Sequence, residues 1–164
     1  NGTVGNDENK SGDALSLKEI NDALKAVTSL YKTKFELIGF DTCLMATLET
    51  ANMASNYANY MVASEELEPG TGWDYTAWLG AIKNKPTIST IDLSKVIVDS
   101  YYNSFSSNPD EQKTTTLSLL SQHLLQEAFP HLPLPSTLRP PAPVSSDGHA
   151  APCSTLPCES KGFQ

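Results

Sequence analysis

The segment that most constrains the fold contains two short apolar runs separated by a stretch with helical spacing. Residues 35–40 (FELIGF) and 60–64 (YMVAS) have the length and the β-forming side chains of buried strands. Between them, Leu44 and Leu48 lie four residues apart, which together with the helix-forming residues that follow predicts a helix to about residue 57. A strand, a helix and a strand joined in this order indicate a crossover between parallel strands. The chain is therefore predicted to be an α/β protein.

Further helices are predicted on both sides of this unit. Residues 16–31 begin with Ser16 and Glu19 at the spacing of a capping box, and apolar side chains then recur every three or four residues. Three later segments have helical patterns: 73–82, 89–105 and 117–129. We expect the first two of these to pack on the sheet.

Composition divides the chain into three parts. Residues 1–14 are mostly polar and glycine residues, which cannot bury enough surface to offset the entropy of ordering, so a flexible loop is predicted there. Residues 15–129 contain the periodic segments and are long enough for one domain with one core. Eight of the eleven prolines lie in 130–164, and this tail is predicted to be disordered or foreign to the domain.

Charge and hydropathy exclude several classes of function. The net charge of −8 and the scattered Lys and Arg residues argue against nucleic acid as a partner, because phosphate binding needs clustered positive charge. No apolar run approaches the ~18 residues of a membrane span. The polar first residues lack the pattern of a signal peptide, and we expect the chain to begin inside a longer protein. Of the three cysteines, Cys43 lies in the periodic region and Cys153 and Cys158 in the tail, which indicates neither a disulfide framework nor a zinc site.

Cys43 is the candidate for nucleophilic chemistry. It lies between a predicted buried strand and a predicted helix, whose N-terminus would favour the thiolate and could face an oxyanion. Position by itself leaves the alternative open, because a free cysteine is among the most commonly buried residues.

Asp41 precedes Cys43 by two residues, so in extended chain the two side chains face the same side. A carboxylate beside a thiolate opposes ionisation of the thiol, and its presence makes sense if a cation arrives with the substrate. The alternative is that Asp41 caps the following helix, as aspartate often does.

Three segments carry a resemblance to a known family. They are FDTCLM (40–45), YMVASEE (60–66) and PGTGW (69–73). Their order and spacing resemble the clostripain family of cysteine peptidases, of the caspase-like clan, over about residues 15–105. The resemblance implies a caspase-like α/β sandwich with a largely parallel sheet flanked by helices, incomplete in this chain. It also implies a Cys–His dyad that cleaves peptides and proteins after basic residues, Arg above all and also Lys.

The resemblance assigns roles residue by residue. Cys43 matches the family's nucleophile, Asp41 matches a carboxylate of the pocket for the basic side chain, and the segment that closes this pocket corresponds to Ser64, Glu65 and Glu66. Thr71 stands where some relatives have an acidic residue, and the nearby Asp74 is the candidate to replace that carboxylate. The acidic cluster of Glu65, Glu66 and Glu68 is interpreted as a solvated rim, since it lacks the ligand pattern of a calcium loop.

A histidine is missing from the expected position. In the family the general base precedes the cysteine by a few tens of residues, and no histidine occurs before Cys43. We therefore expect the base to lie upstream of this chain, and we do not expect His123, His131 or His149 to be catalytic. The alternative function is a non-catalytic module, either a decayed peptidase or a gene fragment, that at most binds cationic peptides.

The resemblance also implies processing and location. Family members commonly cleave themselves between the two dyad residues, and Lys10 is the first basic residue in the visible part of that stretch, so it is the predicted self-cleavage site; an ordinary surface lysine is the alternative. No cofactor is predicted, although the resemblance permits calcium. A bacterial secreted or envelope protein is implied.

Overall fold

The computed structural model describes residues 3–7, 9 and 12–129. Within that part, no helix is both long and apolar enough to cross a membrane. In chain order the elements are β1 (Thr3–Asp7), β2 (Asp13–Ser16), α1 (Leu17–Tyr31), β3 (Phe35–Gly39), α2 (Leu48–Ala54), β4 (Ala58–Ala63), α3 (Tyr75–Asn84), α4 (Thr90–Ser104), α5 (Pro109–Thr114), β5 (Ser118–Ser121) and α6 (Gln122–Ala128).

The predicted parallel crossover is confirmed. Strands β3 and β4 pair in parallel, with Phe35 opposite Ala58 and Gly39 opposite Val62, and α2 lies in the connection between them. Because the two strands run in the same direction, the segments that follow Gly39 and Ala63 emerge at the same edge of the sheet. Both predicted site segments therefore begin at this edge.

The strand β5 completes a three-stranded sheet with the order β3-β4-β5. It pairs antiparallel with β4, with Ala63 opposite Ser118, so the sheet has one parallel and one antiparallel pair of strands. The helix predicted over 117–129 is wrong for its first residues, because α6 begins only at Gln122. The free edge of β4 needs hydrogen-bond partners, and this demand outweighs the helix preference of the leucines in β5.

A hairpin occupies the first residues, where a flexible loop was predicted. Strands β1 and β2 pair antiparallel, with Val4 opposite Leu15. Val4 also packs against the core, although the segment is otherwise polar. The loop prediction is wrong for these two strands, because the pairing uses backbone groups that composition does not report.

The central strand β4 is buried on both of its faces. Met61 and Ala63 belong to a cluster formed with α1 and α2, whereas Val62 belongs to a second cluster that includes Trp73 and Tyr101. Helices therefore cover the two faces of the sheet, as an α/β arrangement requires. The capping box of α1 is also confirmed, since the side chain of Ser16 accepts the N–H of Glu19 and the Glu19 carboxylate accepts the Ser16 N–H.

Candidate active site

Cys43 lies in the loop between β3 and α2, and this loop is fixed to the segment that follows β4. Two backbone hydrogen bonds make this connection, from Leu44 N–H to Glu66 at 3.1 Å and from Ala46 N–H to Ser64 at 2.9 Å. A third, from Phe40 N–H to Val62 at 2.9 Å, joins the start of the loop to β4 itself. Leu44, immediately after the cysteine, has a φ of 59°, in the left-handed region. That conformation costs a side-chain-bearing residue about 1–2 kcal/mol, so the surrounding bonds must hold the turn in place.

Cys43 does not lie at a helix N-terminus, as the sequence predicted. Helix α2 begins at Leu48, and its cap is Thr47, whose side chain accepts the N–H of Thr50 at 3.1 Å. The influence of a helix end falls off within its first turn, so α2 does not act directly on the thiol. The physical reason is that the N–H groups of residues 44 and 46 are bonded to the segment after β4 and not to a helical turn.

The sulfur of Cys43 contacts the backbone of Glu68. The N–H of Glu68 lies 3.3 Å from Sγ and donates to it, and the thiol lies 3.8 Å from the Glu68 carbonyl oxygen, which accepts from it. Cys43 is partly exposed and is not in a disulfide. Glu68 therefore supplies both a backbone donor and a backbone acceptor to the sulfur of Cys43.

Asp41 is an exposed carboxylate anchored by two donors. Its Oδ2 accepts the N–H of Trp73 at 3.2 Å and the hydroxyl of Tyr75 at 2.9 Å. Because Thr47 caps α2, the alternative that Asp41 caps this helix is wrong. Gly72 lies close beside it, with a φ of +65°, and a Cβ there would be 2.9 Å from Asp41 Oδ2.

Glu68 is the functional candidate that the sequence analysis missed. Its side chain is only 5% exposed, whereas Glu65 and Glu66 are exposed, so the interpretation of all three as a solvated rim is wrong for Glu68. Burial, followed by the neighbouring Asp41 carboxylate, raises the pKa of the Glu68 carboxyl to about 8. The turn after Glu68 folds the chain back over the site, and Pro69-Gly70 was the available signal for that turn.

Ser64, Glu65 and Glu66 form the turn that carries the chain from β4 towards Glu68. Ser64 is fully buried, and its hydroxyl accepts the N–H of Glu66 at 3.1 Å and pairs with the Thr116 hydroxyl at 3.0 Å. The side chain of Glu65 accepts a short hydrogen bond from Ser118. These contacts give the segment a structural function, and contact with substrate stays a prediction for all three residues.

Asp74 caps α3. Its carboxylate accepts the N–H of Ala77 at 3.0 Å, in the usual geometry of an N-cap. This capping bond is sufficient to explain why an aspartate occupies position 74. Its predicted part in the substrate pocket stays a prediction.

His123 lies at the opposite end of the sheet from Cys43. It follows β5, whose last residue Ser121 pairs with Tyr60 near the start of β4, and it lines a cavity of about 370 Å³ that also contacts Lys34. Its ring faces Glu127 on the same helix at 3.7 Å and is largely exposed. The other two histidines and Lys10 lie outside the described residues.

The described residues contain no group of three or more His, Cys, Asp or Glu that could hold a metal ion. The arrangement around Cys43 instead combines a partly exposed thiol, a backbone donor to its sulfur and two neighbouring carboxylates. Chemically, it can provide a nucleophile with acidic side chains next to it.

Comparison with a protein-family model gives a match to the clostripain family, Peptidase_C11, over residues 1–130. A search of curated proteins found no match.

Three solved structures illustrate the likeness in fold. A cysteine protease of B. fragilis is 20% identical with a TM-score of 0.58, over 76% of this chain and 49% of that one. A secreted cysteine protease of Bacteroides thetaiotaomicron, bound to an irreversible peptide inhibitor, is 20% identical with a TM-score of 0.59, over 76% and 35%. An inactive zymogen from Parabacteroides distasonis is 26% identical with a TM-score of 0.51, over 66% and 28%. The chain therefore spans half or less of the length of these proteins.

Proposed function

Since the chain belongs to the clostripain family of cysteine peptidases, we propose that it supplies the nucleophile and part of the substrate pocket of an endopeptidase that cleaves after Arg or Lys. The observation that carries this proposal is the juxtaposition at one sheet edge of the Cys43 thiol and two carboxylates. Asp41 is exposed beside the turn that Cys43 occupies, and the backbone of Glu68 contacts the sulfur.

In the proposed reaction, the Cys43 thiolate attacks the carbonyl carbon of the basic residue. The tetrahedral intermediate then breaks its C–N bond, which releases the amine product as it takes a proton and leaves a thioester on Cys43; water finally hydrolyses this acyl-enzyme. The Leu44 N–H is bonded to Glu66, so we assign stabilisation of the oxyanion to the N–H of Cys43 itself. A thiol nucleophile needs no metal for this chemistry, so we propose none.

The general base is proposed to be a histidine upstream of residue 1. His123 is at the far end of the sheet, and the relatives are at least twice as long as the matched region, which leaves room for a further segment. The histidine removes the proton of the thiol and later donates one to the leaving amine.

Asp41 is proposed to bind the basic side chain of the substrate. The N–H of Trp73 and the hydroxyl of Tyr75 hold its Oδ2, and no ion pair among the described residues includes it, so its charge is not neutralised by a protein cation. Peptide inhibitors are bound in the structures of two relatives, which supports peptides as the substrate class. Secretion is proposed from the description of one of these relatives.

A second candidate is a non-catalytic module that binds cationic peptides. The observation that favours it is that the histidine on α6 lies far from Cys43. The two candidates differ in whether a protein containing both this chain and the upstream histidine hydrolyses peptides.

The test uses that longer protein with Arg, Lys and norleucine reporter peptides. Cys43→Ala is expected to abolish cleavage, and Asp41→Asn to raise the barrier for Arg and Lys reporters by about 2–5 kcal/mol, because a cation would lose its charged partner. Asp99→Asn, an exposed aspartate on α4, is the matched control and should leave the rates unchanged. Undiminished cleavage by Cys43→Ala would reject the proposed nucleophile, and an unchanged basic preference in Asp41→Asn would reject the pocket.

Self-cleavage after Lys10 is a separate proposal. The zymogen structure of a relative supports activation of this general kind. We expect N-terminal sequencing of the longer protein to find a new terminus at Ser11 that is absent in Cys43→Ala. An active enzyme that stays intact, or is cut elsewhere, would exclude Lys10.

A further inference from the structure

The Glu68 carboxyl is buried without a well-formed hydrogen bond. Neither of its oxygens has a partner in good hydrogen-bond geometry among the described residues, although the Asp41 carboxyl and the Trp73 ring lie close enough to affect its pKa, and the residue is 5% exposed. Buried carboxyl groups are normally paired, since an isolated charge in the protein interior costs several kcal/mol or more. The nearby Glu65 differs from Glu68, because its side chain is exposed and accepts a hydrogen bond from Ser118. No hydrogen bond or helix cap of the local structure therefore explains why a carboxyl group is buried at position 68.

The groups that face Glu68 are acidic or neutral. They are the carboxylate of Asp41, the hydroxyls of Tyr75 and Tyr101 and the ring of Trp73, while the thiol of Cys43 contacts the backbone of Glu68. The basic side chains that contact carboxylates among the described residues are Lys18, Lys113 and His123, and all of them lie elsewhere. Two carboxylates thus lie together without a positively charged partner from the described part of the chain.

Two adjacent carboxyl groups, one of them buried, cannot both ionise easily. Burial, together with the neighbouring Asp41 carboxylate, raises the pKa of Glu68 to about 8, while Asp41 is exposed and accepts two hydrogen bonds. At neutral pH the pair therefore holds one proton and carries one negative charge. A cation that enters between the two groups would favour ionisation of both.

We propose that Glu68 is a specificity-determining residue that acts with Asp41 as a proton-linked carboxylate pair, which holds one proton when empty and releases it when the cation of a basic side chain binds. The inference rests on the proposed function of the same site and goes beyond it in naming Glu68 and the proton. The balance is one cation taken up and one proton lost to solvent, so the net charge of the site does not change.

Other carboxylates near the site are less suited to this function. Asp74 is engaged in capping α3, and Thr71 has no carboxylate. Calcium is a poor alternative, because it takes 6–8 oxygen ligands and two carboxylates supply few of them. A guanidinium, which is planar and can donate to two carboxylates at once, fits the pair better.

The experiment counts protons released when a guanidinium binds to the chain. Butylguanidinium is titrated calorimetrically into residues 1–164 at pH 7 in buffers of different ionisation enthalpy, with neutral butylurea as the control ligand. A carboxyl with a pKa one unit above the pH is about 90% protonated, so release of up to about 0.9 proton per ligand is expected. The affinity should rise on the order of 50-fold from pH 6 to pH 8, because proton release and binding are linked.

Glu68→Gln keeps the shape of the side chain and removes its titration. We expect the released proton and the pH dependence to disappear in this variant and the affinity at pH 8 to fall at least tenfold. Glu36→Gln, at the opposite end of β3, is the matched control and should behave as the unmodified protein. A carbon-13 titration of the Glu68 carboxyl in the unmodified protein provides a measurement that does not depend on the variant.

The outcomes separate this inference from the proposed function. Binding of butylguanidinium with no proton release, an unchanged Glu68→Gln variant, or a Glu68 carboxyl that titrates near 4.5 would overturn the role of Glu68 and leave the basic preference standing. Equal binding of butylguanidinium and butylurea would overturn both.

Discussion

Replacing Gly72 with alanine tests the close approach of the chain to Asp41. Gly72 has a φ of +65°, and the added Cβ would lie 2.9 Å from Oδ2 and 3.2 Å from Oδ1 of Asp41. Contacts shorter than 3.0 Å are essentially absent for real Cβ atoms, so the carboxylate has to move. Its Oδ2 would then leave the N–H of Trp73 and the hydroxyl of Tyr75.

The expected cost has two parts. A left-handed conformation costs an alanine about 1–2 kcal/mol. Displacing the Asp41 carboxylate weakens two hydrogen bonds, and because this side chain is exposed, water replaces part of them, so we assign about 1 kcal/mol to that loss. The free energy of unfolding should therefore fall by about 2–3 kcal/mol.

Urea denaturation in a double-mutant cycle separates the two parts. Gly72→Ala is measured in the unmodified protein and in an Asp41→Ala background, where the contact is absent and only the backbone cost of about 1–2 kcal/mol should remain. Gly70→Ala is the matched control, since its Cβ would meet nothing within 4 Å and its φ is not in the left-handed region. It should change the stability by less than about 0.5 kcal/mol.

Two results would refute this reasoning. Equal costs of Gly72→Ala in both backgrounds would show that the Asp41 carboxylate does not constrain this position. A cost no larger than that of Gly70→Ala would show that the turn does not require a left-handed residue at all.

Three further perturbations probe the supports of the site. Gly39→Ala should cost about 1–3 kcal/mol in urea denaturation, because its Cβ would lie 2.8 Å from the ring of Trp73; an unchanged midpoint would contradict this packing. The free energy of unfolding should fall as pH rises from about 4.5 to about 8, because folded Glu68 retains its proton until about pH 8 whereas the unfolded carboxyl ionises near 4.5. The Glu68→Gln variant should lack this fall. If its free energy of unfolding had the same slope against pH as that of the unmodified protein, the raised pKa of Glu68 would be contradicted. Thr116→Val should lower the free energy of unfolding by about 1–3 kcal/mol in urea denaturation, because it loses the hydrogen bond to Ser64. Thr116→Ser keeps the hydroxyl and should lower it by less.

Local patterns in the sequence were enough to predict the parallel crossover and the start of one helix. The runs of β-forming residues at 35–40 and 60–64 correctly located β3 and β4, since a strand buried on both faces has a continuous apolar sequence. Ser16 and Glu19 correctly located the start of α1, because a capping box is made within four consecutive residues. The same sequence also singled out Asp41 and Cys43 by their spacing.

The start of α2 and the strand β5 required the tertiary structure. The residues after Cys43 have a helical pattern, yet their N–H groups bond to the segment after β4, which delays the helix to Leu48. The leucines of β5 have a helical pattern too, yet β4 offers them an unpaired edge. In both cases a partner distant in sequence supplies hydrogen bonds that compete with the local helix.

The different environments of the three neighbouring glutamates were also decided only by the fold. In the sequence, Glu65, Glu66 and Glu68 form one acidic cluster, and nothing in its composition separates them. In the structure, the chain turns back after Glu68, which puts its N–H on the sulfur of Cys43 and its carboxyl beside Asp41, while the other two remain exposed. The residue type fixes which ionisable group a side chain carries, whereas its burial and its proton affinity depend on which distant groups the fold packs around it.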